Sequence, residues 1–234
     1  PDGFNIHVNC AVLNQELFVE YAKNYKFDYC VAVDGDGDRI VLSDNKGTIF
    51  TGDDILYTLA SRNKMIGKDQ SDAVVGTTMS NQGMVEALGK LGISFMRTDV
   101  GDKYISRELV KHNLNIGAEP SGHVIQREFS ESGDANIALI QTLAALQELD
   151  TNVAGIKKNI DYKPLSLKNY SVSDIEVVES EIFIESIEKL KKNHPEARIS
   201  VRKSGTEPII RAMVEAETEK DKDFILGEIE SLIS

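Results

Sequence analysis

Asp34, Asp36 and Asp38 stand at every second position, separated by Gly35 and Gly37 and followed by Arg39. On an extended strand, residues two apart share a face. Three like charges would then crowd together, and each carboxylate would raise the pKa of the others. Glycine tolerates backbone conformations closed to other residues, so the segment can bend three side chains toward one point. Oxygen-only ligands suit a hard cation such as Mg²⁺ or Ca²⁺ and do not suit zinc. A helix-flanked calcium loop is excluded, because it needs glycine and glutamate where Arg39 and Asn45 stand. A solvated acidic turn is the remaining alternative. Against it, the apolar run Tyr29-Cys30-Val31-Ala32-Val33 enters the loop and Ile40-Val41-Leu42 leaves it. The carboxylates therefore sit at the carboxyl end of a strand, where ligand sites of open α/β sheets gather.

Three further stretches carry chemistry. In Arg202-Lys203-Ser204-Gly205-Thr206-Glu207-Pro208 a glycine lets successive N–H groups turn inward as an anion-binding nest. Ser204 and Thr206 add hydroxyls, and Arg202 and Arg211 can grip phosphate oxygens. The plain alternative is a hairpin turn with incidental charges. In Gly117-Ala118-Glu119-Pro120-Ser121-Gly122-His123 a carboxylate, a hydroxyl and an imidazole cluster after a strand. All three can bind sugar hydroxyls or an amine, though a lone histidine is also a common structural residue. In Arg97-Thr98-Asp99-Val100-Gly101-Asp102-Lys103, Asp102 and Lys103 suit acid–base work or phosphate binding. A capping aspartate at a helix start explains them equally well.

These loops need elements to hold them. The chain's 234 residues suffice for one large domain or two small ones with a real core, and 41% hydrophobic and 27% charged residues mark an ordinary globular composition. A net charge of −12 argues against nucleic acid or an anionic membrane as partner. It leaves room for a phosphorylated ligand in a local basic pocket. The spacing of Cys10 and Cys30 is that of neither a metal site nor a redox pair, which suits a reducing, cytoplasmic setting. No apolar run approaches a membrane span.

Periodicity predicts a helix over 14–25 with Leu17, Tyr21 and Tyr25 on one stripe, then strand, acidic loop, strand, a hairpin turn at 44–47, and a helix from Thr51 to Arg62. A polar stretch at 64–72 marks a boundary. A β-α-β-α-β-α rhythm follows, implying a parallel sheet covered on both faces, and closes with an apolar helix from Asp134 to Leu149. Residues 152–162 read as a connection. The last unit runs strand, helix, two strands, helix, with Phe183, Ile187 and Leu190 inward on its first helix and Ile225, Ile229 and Leu232 inward on its second.

In order along the chain, Pro1-Asp2-Gly3-Phe4-Asn5-Ile6, the acidic loop, Val100-Gly101-Asp102-Lys103-Tyr104, Glu119 to His123 and Arg202 to Pro208 together resemble the α-D-phosphohexomutases. Val100-Gly101-Asp102, Ser204 to Pro208 with Arg211 to Ala216 behind it, and Met79-Ser80-Asn81 resemble the members acting on glucosamine phosphates. The resemblance implies an α/β fold in three parts. Residues 1–68 would be a partial three-layer α/β second domain with the metal loop. Residues 69–155 would be a complete three-layer α/β third domain with the sugar loop, and 156–234 a smaller α+β (TBP-like) C-terminal domain that binds phosphate.

It also implies interconversion of glucosamine 6-phosphate and glucosamine 1-phosphate through a bisphosphorylated intermediate, which feeds UDP-N-acetylglucosamine and cell-wall precursor synthesis. Mg²⁺ would sit on Asp34, Asp36 and Asp38, with Arg39, Asp102 and Lys103 catalytic. Glu119, Ser121, His123, Arg202, Ser204, Gly205, Thr206 and Arg211 would bind substrate. The family's phosphorylated serine has no counterpart here. The chain is therefore expected to be a carboxyl-terminal portion, inactive alone, whose partners are the remaining domains of the same protein and a hexosamine phosphate. A homodimer stays open. Pro120 stands where glutamine is usual, and Ala11, Ala118 and Ala135 where glycine is usual. A mannose or glucose phosphate, or a truncated non-catalytic sugar-phosphate binder, therefore remain alternatives.

Overall fold

The computed structural model describes residues 12, 15–67, 72–171, 175–204 and 208–233. The chain divides into two compact units, residues 1–161 and 162–234. Among the described residues, no helix is long and apolar enough to cross a membrane.

The first unit opens with α1 (Gln15–Asn24) and an antiparallel meander of β1 (Tyr29–Val33), β2 (Ile40–Asp44) and β3 (Ile49–Phe50). Val33 pairs with Ile40, so the strands close directly on the acidic loop. The turn at 44–47 forms as expected, with Asp44 Oδ1 accepting from the N–H groups of Lys46 and Thr48. Helix α1 presents a different face from the one its aromatic residues suggested. Phe18 and Ala22 are buried, while Tyr21 and Tyr25 are exposed and stack on each other with ring centroids 6.1 Å apart. Two large rings four residues apart meet along a helix surface without being buried by it.

The chain continues through α2 (Gly52–Met65), β4 (Ala73–Thr77), α3 (Gln82–Lys90), β5 (Ser94–Thr98), α4 (Asp102–Lys111), β6 (Ile116–Ala118), β7 (Val124–Gln126), α5 (Ala135–Glu148) and α6 (Val153–Asn159). The sheet order is β5-β4-β6-β7. β5, β4 and β6 are parallel, as the alternating rhythm predicts, but β7 runs antiparallel to β6. A parallel return needs a crossover of a dozen or more residues, and residues 119–123 are too few for one. The core gathers Val75, Ile105, Leu109, Leu114 and Ile125.

Helix α2 packs on α5, β6 and α3 of this sheet as well as on the meander, and most of its length is buried. It thus ties residues before 68 to the unit after them. Residues 153–159, read from sequence as a connection, are a helix. Asn152 caps it, its Oδ1 accepting from Gly155 N at 3.0 Å, and Val153 and Ile156 are buried. Compactness therefore places the division at 161/162, where the sequence suggested 68/69 and 155/156.

The second unit comprises β8 (Leu165–Ser171), a 3-10 turn (Ile175–Glu179), α7 (Glu181–Asn193), β9 (Arg198–Lys203), β10 (Ile209–Glu215) and α8 (Glu219–Ile233). Its antiparallel sheet has the order β8-β10-β9. Phe183, Ile187 and Leu190 of α7 and Ile225 and Ile229 of α8 join Ala212 and Val214 in one apolar cluster, with Leu232 packed beside it. The α+β arrangement and the inward faces are those expected.

Candidate active site

Asp34, Asp36 and Asp38 each offer a carboxylate oxygen, and the three oxygens lie within 4.8 Å of one another. Only Gly37 of the two loop glycines takes positive φ, at 75°. Asp34 organises the turn. Its Oδ1 accepts from Asp38 N at 3.2 Å and Arg39 N at 3.1 Å, and its main-chain O from Gly37 N at 3.3 Å. Its side chain is 6% exposed. Burial pushes the Asp34 carboxyl upward, but the Arg39 N–H, Asp38 and the Arg39 guanidinium outweigh it and hold the pKa below the ordinary carboxylate value. Asp38 moves the other way, raised by burial and then by Asp34, with His123 opposing. Asp38 Oδ1 is buried and has no hydrogen-bond partner. A crowded set of oxygen donors with one of them left open fits a hard cation. Arg39 is 43% exposed at its side chain, with Nε 4.0 Å from Asp34 Oδ2.

Two other loops hold the acidic one. Ile40 N donates to Gly122 O at 3.1 Å, and Arg39 forms an antiparallel bridge with His123. Ala135 N, at the start of α5, donates to Gly37 O at 2.9 Å. The His123 Nδ1 lies 3.0 Å from Asp38 Oδ2. The sugar loop predicted from sequence is itself ordered. Glu119 N donates to His123 O and Gly122 N to Glu119 O. The Glu119 side chain accepts from Gly101 N at 2.8 Å through Oε1 and from Ser121 Oγ at 3.0 Å through Oε2. Pro120 contributes its carbonyl, which accepts from Gly52 N at 3.3 Å. Ser121 is exposed, whereas Glu119 and His123 are buried. Asp102 and Lys103 are exposed at the start of α4, next to the glycine that binds Glu119, and Lys103 Nζ lies 4.9 Å from the centroid of the Tyr104 ring.

Sequence reasoning passed over Asp53, which lies near the start of the helix expected from Thr51. Asp53 is 3% exposed and accepts from Asn81 N at 2.8 Å. Burial raises its pKa to about 7, with Asn81 and Ser80 opposing. Arg97 meets the same loop, donating to Thr77 O, Ser80 O and Gln82 Oε1. Together they fix Met79-Ser80-Asn81 and the carboxyl end of β5. A carboxylate at a helix start is usual, so nothing local in the sequence marks this one as buried.

In the second unit, Arg202 and Arg211 are directly opposed across β9 and β10. Ser204 N donates to Ile209 O at 2.9 Å, one pair beyond the end of the β9–β10 ladder. Gly205 and Thr206 lie outside the described residues. Lys203 turns away to Glu176 and Glu179, and their carboxylates, Glu179 first, raise its pKa.

Residues 51–161 match the phosphoglucomutase/phosphomannomutase alpha/beta/alpha domain III, and residues 142–230 match the C-terminal domain of the same family. Phosphoglucosamine mutase of Parvibaculum lavamentivorans is 36% identical over 234 residues, covering 100% of this chain and 52% of that protein. That of Psychrobacter cryohalolentis is 37% identical over 231 residues, covering 98% and 50%. The chain thus spans about half the length of these relatives. Among solved structures, an N-acetylglucosamine-phosphate mutase in its product complex superposes with a TM-score of 0.75 at 21% identity, over 97% of this chain and 53% of that one. The Aspergillus fumigatus N-acetylphosphoglucosamine mutase, in complex with GlcNAc-6P and magnesium, gives 0.76 at 18%, over 96% and 52%. At that identity the likeness speaks for the fold alone. Two adjoining domains of one family in chain order, with relatives at 36% identity along its whole length, make this chain a member of the phosphoglucomutase/phosphomannomutase family, the α-D-phosphohexomutases.

Proposed function

We propose that this chain carries the cation, sugar and phosphate loops of an enzyme that interconverts glucosamine 6-phosphate and glucosamine 1-phosphate through a bisphosphorylated intermediate. The observation that carries the reading is the joining of the acidic and sugar loops, by the Arg39–His123 bridge and the Ile40–Gly122 hydrogen bond, around three converging carboxylates. Asp34, Asp36 and Asp38 would hold Mg²⁺, which when bound supplies positive charge to phosphoryl oxygens. Arg39, half-exposed beside them, donates to the transferring phosphoryl group. Glu119 and Ser121 take sugar hydroxyls, with the carboxylate already oriented by Gly101 N. Asp102 and Lys103 stand at the same loop edge for proton transfer with the reacting hydroxyl. Arg202, Ser204, Gly205, Thr206 and Arg211 grip the phosphate that does not react. Two arginines directly opposed on a sheet place two guanidinium groups where one phosphate can accept from both.

The phosphoryl donor is a phosphorylated serine in a preceding domain, so this chain alone is inactive. A protein spanning the full length of the relatives should convert glucosamine 6-phosphate faster than the glucose or mannose phosphates. A higher rate on mannose or glucose phosphate would move the assignment to that sugar. Binding of all three without turnover would replace the enzyme with a sugar-phosphate binder.

A further inference from the structure

We propose that His123 is a positioning residue for the cation loop. It fixes the carboxylate of Asp38, and so mechanically couples the loop that reads the sugar to the loop that holds the metal. The inference rests on the reading of Asp34, Asp36 and Asp38 as a cation site.

The three carboxylates are held by different means. Asp34 is fixed within the loop, by the Asp38 and Arg39 N–H groups on its Oδ1. Asp36 is exposed. Asp38 has one oxygen on His123 Nδ1 at 3.0 Å and the other without a hydrogen-bond partner. The imidazole thus orients Asp38 while leaving its second oxygen open. His123 is 4% exposed, and its Nε2 is buried and unpartnered. A carboxylate can only accept, so Nδ1–H donates to Asp38. Neither ring nitrogen is then offered to a sugar. That separates His123 from Glu119 and Ser121 of the same loop.

The ring is also walled in from behind. A Cβ placed on Gly133 would sit 2.4 Å from His123 Cε1 and 2.7 Å from each ring nitrogen. No side chain fits there unless the imidazole moves. Two residues on, Ala135 N holds Gly37 O. The start of α5 therefore braces both the loop backbone and the ring that aims Asp38. Partners that orient a metal ligand in this way typically change metal affinity 10–100-fold when lost.

The test is Mn²⁺ binding to this chain, followed by the electron paramagnetic resonance of free Mn²⁺. Folding is checked by circular dichroism, and glucosamine 6-phosphate affinity is measured in parallel without metal. His123→Phe fills the space without a donor and should weaken Mn²⁺ binding about tenfold or more. His123→Asn places an amide N–H near the Nδ1 position and should recover most of the loss. Gly133→Ala, which leaves every proposed ligand in place, should weaken Mn²⁺ through the displaced ring, and it serves if the Phe variant does not fold. Wild-type Mn²⁺ affinity in His123→Phe or, failing that, in Gly133→Ala overturns the proposal. So does a His123→Asn variant as weak as His123→Phe, or a loss confined to glucosamine 6-phosphate. Absence of Mn²⁺ binding by the wild type overturns the cation reading, and this inference with it. Mn²⁺ binding by the wild type and unchanged in the variants overturns this inference alone.

Discussion

Each compact unit carries one strongly charged hairpin connection, acidic between β1 and β2 in the first and basic between β9 and β10 in the second. Both leave and re-enter antiparallel strands, Val33 to Ile40 and Lys203 to Ile209. The acidic one is held from outside, by Gly122, His123 and Ala135, residues distant in sequence. The basic one draws its arrangement from its own ladder. Arg202 faces Arg211 because β9 and β10 are in register, and Ser204 is tied to Ile209 across the turn. Like charges converging on a point need an external frame to stay together. Charges spread over paired strand positions take their spacing from the strand register.

Three measurements would break or sharpen that contrast. The largest effect should come from the frame of the acidic loop. Gly122 takes φ of 95°, and a Cβ there would lie 2.0 Å from Ile40 O. Gly122→Ala should destabilise the chain by more than about 3 kcal/mol in urea unfolding. A change under about 1 kcal/mol would show that the acidic loop stands without its neighbour.

Asp53 gives a smaller effect that depends on pH. Its pKa is raised from 3.8 to about 7 in the fold, so between those values the folded chain keeps a proton that the unfolded chain releases. Its contribution is complete below pH 3.8 and is lost as pH rises through about 7. Asp53→Asn keeps an acceptor for Asn81 N and should remove that loss. The variant should gain stability over the wild type between pH 4 and 8, with an upper bound of about 4 kcal/mol. Parallel stability–pH curves for the two proteins would show that Asp53 is not a protonated anchor.

The smallest effect on folding is expected in the basic hairpin. Arg202 is exposed, and Arg202→Ala should change stability by no more than about 0.5 kcal/mol. It should weaken inorganic phosphate binding about tenfold, the loss of one charge-assisted contact. A large loss of stability would mean that the basic hairpin also depends on more than its ladder.

Much of this architecture was legible in the sequence because it depends on short-range pattern. Alternating carboxylates between apolar runs, two arginine-bearing strands close in sequence, and the helical stripes of α7 and α8 all declare themselves within a dozen residues. What escaped was set by distance or by competition. Asp53 meets Asn81 across 28 positions, and its neighbours in sequence look like any helix start. Helix α6 was hidden by its brevity and by Gly155, and it owes its place to Asn152 and two buried side chains. In α1 the stripe of Leu17, Tyr21 and Tyr25 outweighed Phe18 and Ala22 in the sequence pattern, yet the core took the latter two. Gly133 reads as loop punctuation until the imidazole it makes room for is seen.

The hydrogen bond from Ala135 N to Gly37 O bears on timing. Ala135 is the first residue of a 14-residue helix, so a resident partial positive charge lies at the bend of the acidic loop. That charge helps to hold the loop's shape among its own carboxylates. Loading a metal ion would then be a matter of exchanging water for carboxylate oxygen, with no segment to fold first.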